Sequence, residues 1–140
     1  MSKNPWVGNW TYRSLLNDPN SALSFDKLEF GVGTIVINND EASELLTGSI
    51  GGEGWSLTLH GSRAYGSPSQ VRFEGKGLVS GELWIYDYIG WLVPVWPNST
   101  DQLQRPAFVG SVIRTIPHSN GNGGTAPAGV VASFYAVKVD

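Results

Sequence analysis

The chain has no cysteine. That absence removes a disulfide scaffold, a thiolate metal site and a cysteine nucleophile together, and it fits a reducing compartment. Charge is scarce as well. Asp, Glu, Lys and Arg make up 15% of the 140 residues, against about 25% in an average domain. The nine Lys and Arg are scattered along a chain of net charge −3, so no basic patch exists for a nucleic-acid backbone. No apolar run approaches the roughly 18–20 residues that a membrane helix requires. The first residues, Met1 to Trp6, contain no apolar signal-peptide segment. The expectation is a soluble, cytoplasmic protein that binds neither nucleic acid nor membrane. The sequons at Asn9-Trp10-Thr11 and Asn98-Ser99-Thr100 have no role in such a setting. Gly-x-Ser-x-Gly, phosphate-loop and dinucleotide fingerprints are also missing, and two histidines without clustered carboxylates do not make a metal site. No metal or cofactor is expected.

What is present is glycine (18 residues) and aromatic side chains, with six Trp, five Tyr and five Phe. This mixture suits tightly turned strands with bulky side chains. A 140-residue chain can bury roughly two-thirds of its unfolded surface, so residues 1–140 are read as a single domain. No segment carries an apolar stripe at helical spacing. Alternating or short apolar runs recur between Gly, Pro, Asn, Asp and Ser clusters. They predict eight strands, at Val7–Ser14, Lys27–Asn38, Glu44–Ile50, Trp55–Ser62, Gln70–Leu78, Glu82–Pro94, Ala107–Pro117 and Val130–Val139. Trp55, Leu57 and Leu59 share one face of the fourth. Gly51 to Gly54 reads as a hairpin turn, Leu15 to Asn20 as a loop with one helical turn, and Ser119 to Gly124 as flexible loop. Pro94 to Pro106 is placed as a loop at the barrel mouth. Eight antiparallel strands with short turns close into an up-and-down barrel without exposed edges; a β-sandwich is the rival arrangement.

Val7-Gly8-Asn9-Trp10 opens the first strand with a Gly-x-Trp signature, and Leu46-Thr47-Gly48 and Gly54-Trp55-Ser56-Leu57 follow on later strands. In these motifs and in its strand plan the chain resembles the lipocalin-like and avidin-like, calycin-type barrels. The resemblance implies that Trp10 plugs or lines the barrel and that the lumen holds a small molecule. It does not extend to biotin, because avidins carry Asn two positions beyond the Trp and this chain carries Tyr12.

Strand register then selects the lumen lining. A sixth-to-seventh-strand loop symmetric about Thr100–Asp101 sets Asp87 opposite Arg114. A symmetric Gly-rich loop before the last strand sets Arg114 opposite Ser133 and Val112 opposite Tyr135. A three-residue turn with Gly81 in the left-handed region pairs Leu78 with Glu82 and Phe73 with Asp87. On that register the ligand-facing residues are Trp10, Tyr12, Phe73, Asp87, Arg114 and Tyr135. A two-residue Ser80-Gly81 turn reverses the assignment and brings Trp84, Tyr86 and Tyr88 inside. A buried Asp87 requires a partner. Arg114 supplies one, either as a structural ion pair or as a polar anchor beside a ligand.

Candidate catalytic residues are Asp87, Arg114, Tyr12 and His118. His118 is read as a loop histidine or as an acid–base group at the cavity rim, and His60 as a surface histidine. Trp91, Trp96 and Tyr65 are packing or lid aromatics. Three functions remain open: binding of a small, mostly apolar ligand, cofactor-independent cyclase or isomerase chemistry in the lumen, or recognition of protein or carbohydrate by exposed aromatics. The sixth to eighth strands are apolar on both faces, which points to a homo-oligomer, in particular a dimer.

Overall fold

The computed structural model describes residues 4–38, 44–94, 96–100 and 104–139. Eight long strands form in the eight expected places: β1 (Gly8–Leu16), β2 (Glu29–Ile37), β3 (Leu45–Gly52), β4 (Trp55–Ala64), β5 (Gln70–Val79), β6 (Glu82–Leu92), β7 (Ala107–Arg114) and β10 (Val131–Lys138). They close in the order β1-β10-β7-β6-β5-β4-β3-β2, each antiparallel to its neighbours. The fold is therefore an up-and-down barrel, and closure excludes the sandwich. Helix α1 (Phe25–Leu28) is one turn in the β1–β2 connection. Two residues each form β8 (His118–Ser119) and β9 (Thr125–Ala126), a small hairpin in the β7–β10 connection.

Period-two patterning explains the closure. Along β1, Trp10, Tyr12 and Ser14 are buried while Thr11 and Arg13 are exposed. Along β4, Leu57 and Leu59 are buried between exposed Ser56, Thr58 and His60. Each strand thus presents one face to the lumen, where side chains stack into a core. Glycine permits the tightest strand approach. A Cβ at Gly110 would run into the Ile89 carbonyl and the backbone of Gly90, its partner across β6 and β7.

Register departs from the sequence expectation in three places, and each departure is an odd number of residues. Ser80 and Gly81 both lie at positive φ, 51° and 79°, and Val79 pairs with Glu82. The turn is the two-residue kind whose twist matches that of the strands. Phe73 therefore stands opposite Tyr88, and Glu74 opposite Asp87. This turns Tyr86, Tyr88 and Gly90 inward and Asp87 outward. Across β6 and β7, Tyr86 rather than Asp87 pairs with Arg114, so the second slip brings Arg114 back inside. Across β7 and β10, Ser133 pairs with Ser111 and Tyr135 with Val109, because the β8–β9 hairpin absorbs part of the connection. This third slip sends Tyr135 to the exterior and Phe134 to the core.

The two ends of the barrel are unlike. At one end Trp6, Trp10, Phe108 and Leu46 are fully or almost fully buried. The Phe108 ring meets Trp6 and Trp10 edge-on at 5.1 and 4.8 Å, geometry that aromatic quadrupoles favour. Trp10 Nε1 donates to the Trp6 carbonyl at 2.9 Å, which fixes the N-terminal segment as a plug. The Pro94–Pro106 connection joins β6 and β7 at this plugged end, not at the mouth; residues 95 and 101–103 of it lie outside the described residues. The opposite end, framed by the β1–β2, β3–β4, β5–β6 and β7–β10 connections, is open.

Candidate binding site at the open end

A cavity of about 520 Å³ occupies the open end. Tyr12 and Tyr88 form its floor, Phe30, Trp84, Tyr86, Arg114 and His118 its walls, and Trp55, Glu82 and residues 119–121 its rim. Tyr12, Tyr86 and Tyr88 enter as alternate, inward-facing residues of β1 and β6. Phe30 enters from β2 next to an irregularity at Ser14/Leu15 in the β1–β2 ladder. Tyr12 packs against Tyr88 and Phe134 at 6.1 and 5.7 Å, joining the cavity floor to the core.

The polar groups form one chain. Arg114 Nε donates to Tyr86 Oη at 2.9 Å, and Tyr86 Oη lies 2.7 Å from His118 Nε2. His118 Nδ1 lies 2.7 Å from the Ser119 carbonyl, which can only accept. In the neutral ring Nδ1 therefore carries the proton, and Nε2 accepts from the tyrosine hydroxyl. His118 is buried and stacks on Trp84 at 3.9 Å, the two planes 13° apart. The Arg114 guanidinium also lies over the Phe30 ring at 4.9 Å and donates from Nη1 to the Pro127 carbonyl at 3.2 Å.

Burial dominates the ionisation of the three cavity phenols. It raises Tyr12, Tyr86 and Tyr88 above the ordinary tyrosine range, because desolvation penalises the phenolate. At Tyr86 the hydrogen bond and positive charge of Arg114 oppose the rise.

The loop after β7 is more ordered than its glycine content suggests. Asn120 Oδ1 accepts from the backbone N–H groups of Asn122 and Gly124, and the β8–β9 hairpin holds His118 at the cavity. Glu82 Oε1 accepts from Ser119 N–H at 2.8 Å and ties this hairpin to the rim. His118 is thus a cavity-wall residue rather than a residue of a flexible loop.

Of the residues singled out from sequence, the structure brings Tyr12, Arg114 and His118 together at the cavity. Trp10 and Phe73 face inward, in the plugged core. Asp87 does not join them. It lies outside, accepting a hydrogen bond from Thr115 Oγ1, and the expected Asp87–Arg114 pair does not form because the residues face opposite sides of the sheet. Tyr135, 41% exposed, is also outside, opposite Val109. Trp84, Tyr86 and Tyr88, assigned outward on the favoured register, line the cavity. Phe30 and the 119–126 hairpin had no sequence signal, since a chain irregularity and a loop carry no strand alternation. Tyr65 and Trp96 are both exposed, and neither touches the cavity.

A second concavity, on the outer surface, is bordered by His60, Arg72, Glu74, Asp87 and Ile113. Phe73 and Tyr88 also border it, but it lacks the tryptophans and the arginine–tyrosine–histidine chain of the first. No known protein family matches the chain, and no curated protein or solved structure matches it.

Proposed function

We propose that the open half of the barrel binds a small, mostly apolar molecule. The observation that carries this reading is the aromatic-walled cavity of about 520 Å³ with one connected set of polar groups, Arg114, Tyr86 and His118, on its wall. Apolar cavities of roughly 300–1,000 Å³ with a few placed polar groups are typical ligand sites. Native mass spectrometry of protein purified from its own host tests the proposal directly: a co-purifying small molecule lost in Trp84→Ala supports it. A molecule retained equally by Trp84→Ala and by the wild type would move the site elsewhere.

One observation favours a second reading, acid–base catalysis on a bound substrate. Tyr86 Oη sits between a cation and a proton-accepting imidazole nitrogen, an arrangement suited to passing a proton. A cyclase or isomerase of a small hydrophobic substrate would use Tyr86 and His118 rather than Asp87. Turnover abolished by Tyr86→Phe while binding persists would establish it.

The exposed face of β6, β7 and β10 supports a homodimer. Trp91, Val109 and Tyr135 stand side by side across the three strands and are 37%, 43% and 41% exposed. Covering such a strip is what two-fold pairing achieves. Sedimentation at micromolar concentration should give a species of twice 15.1 kDa; a clean monomer would refute it. No helix among the described residues is long and apolar enough to cross a membrane, and the cysteine-free composition supports a cytoplasmic location.

A further inference from the structure

Resting on the binding reading above, we infer that the ligand is an organic acid: a flat apolar body seated against the cavity aromatics, with a carboxylate paired to Arg114. Arg114 is held by neutral groups. Its hydrogen bonds go to a phenol oxygen and a backbone carbonyl, and its guanidinium faces the rings of Phe30 and Tyr86. All four partners are neutral. Among the described residues no Asp or Glu forms an ion pair with it, and its Nη2 makes no hydrogen bond.

A guanidinium partly desolvated by aromatic walls gains most from a planar acceptor carrying negative charge, because two parallel N–H···O bonds fit a carboxylate. The rest of the polar chain cannot supply that charge. The Tyr86 hydroxyl is held above its ordinary range by burial, and its proton points to His118 Nε2. The Ser119 carbonyl fixes that imidazole by accepting from Nδ1. Glu82 is the one carboxylate lining the same cavity, and it is engaged by the Ser119 N–H. Glu82 keeps its charge at the rim but makes no ion pair with Arg114, so the guanidinium has no anion in contact with it among the described residues.

The body of the ligand follows from the adjoining wall on β6. Trp84 already stacks on the His118 ring in near-parallel planes, and Trp55 stands 6.5 Å from Trp84, tilted by 30°. These two indoles favour a flat, polarisable molecule over a branched one.

A matched set of naphthalene probes tests this at neutral pH: naphthoate, naphthylmethanol and naphthylmethylamine, titrated by calorimetry and by tryptophan fluorescence. Naphthoate should bind at least about ten-fold more tightly than the alcohol, as expected for a charge-assisted bidentate pair, and the amine should bind most weakly. Arg114→Gln should bring acid and alcohol to within about two-fold of each other. Arg114→Lys keeps the charge without the fork and should retain only part of the preference. It also serves if Arg114→Gln does not fold. Equal affinities in the wild type, a preference that survives Arg114→Gln, or tightest binding of the amine would each overturn the inference while leaving the cavity as a binding site. No binding of any probe at millimolar concentration would remove the binding reading and this inference together.

Discussion

The two halves of the barrel are built from the same strands and serve opposite ends. In the plugged half, Trp6, Trp10 and Phe108 show no exposed surface and interlock edge to face. In the open half, aromatic residues are just as dense, yet Trp55 and Trp84 are only partly buried and surround a cavity. The difference lies in what each end receives. The N-terminal segment carries Trp6 into one end, where its carbonyl takes the Trp10 indole proton. The other end receives a polar hairpin that contributes His118 to the wall without filling the space. An identical barrel wall can thus be core or binding site, according to whether the flanking chain supplies an apolar side chain of the right volume.

The largest effect should come from the plugged half. Phe108→Ala should cost about 3–5 kcal/mol, the usual loss for a large aromatic removed from a packed core, read by urea denaturation. Trp84→Ala, at the open end, should cost clearly less stability and remove ligand binding. Equal losses at both positions would erase the distinction between the halves. Next in size, Gly110→Val should cost about 1–3 kcal/mol by forcing a side chain into the β6 backbone; an unchanged midpoint would show that the two strands are not held so closely.

Alkaline titration sharpens the comparison in the cavity floor. Tyr12, Tyr86 and Tyr88 hold their protons more tightly folded than unfolded. The stabilisation this gives is complete below the unfolded tyrosine value of about 10 and is lost as pH rises above it. The phenolate absorbance of these residues should therefore appear together with loss of the strand signal in circular dichroism. Ionisation of all five tyrosines before any loss of structure would show that the floor is wet.

The smallest effect should be at Asp87. Asp87→Asn keeps an acceptor for Thr115 Oγ1 and should change stability by no more than about 0.5 kcal/mol, as for surface changes generally. Its effect should add to that of Arg114→Gln, since the two side chains lie on opposite faces of the sheet and share no hydrogen-bond partner. A coupling above about 1 kcal/mol would restore the ion pair across the sheet that the register excludes.

Particular residues show how far the sequence could be read. Leu57, Leu59, Val71 and Phe73 alternate with polar neighbours, and that alternation alone assigns them to the core. Trp10 follows the Gly-x-Trp opening and is buried as expected. On β6 the same logic had no purchase, because Trp84, Ile85, Tyr86, Tyr88 and Ile89 are apolar on both faces. Asp87 was the one polar marker, and pairing it with Arg114 was chemically sensible. Its face was decided instead by Ser80, which accepts a left-handed conformation normally left to glycine or asparagine.

The sequence by itself determined the eight barrel strands, their places and the all-β class, because hydrophobic period and turn residues are local properties. Closure into a barrel rather than a two-sheet sandwich was decided by tertiary structure, because the same alternation suits both and only the strand pairing joins the sheet to itself. Which face of β6 and β10 looks inward was decided by tertiary structure, because side chains alternate with period two and a slip of any odd number of residues exchanges the faces. The meeting of Arg114, Tyr86 and His118 was decided there too. It depends on two strand registers and on a hairpin folding back over the mouth, and no local pattern in the chain encodes the sum of those displacements.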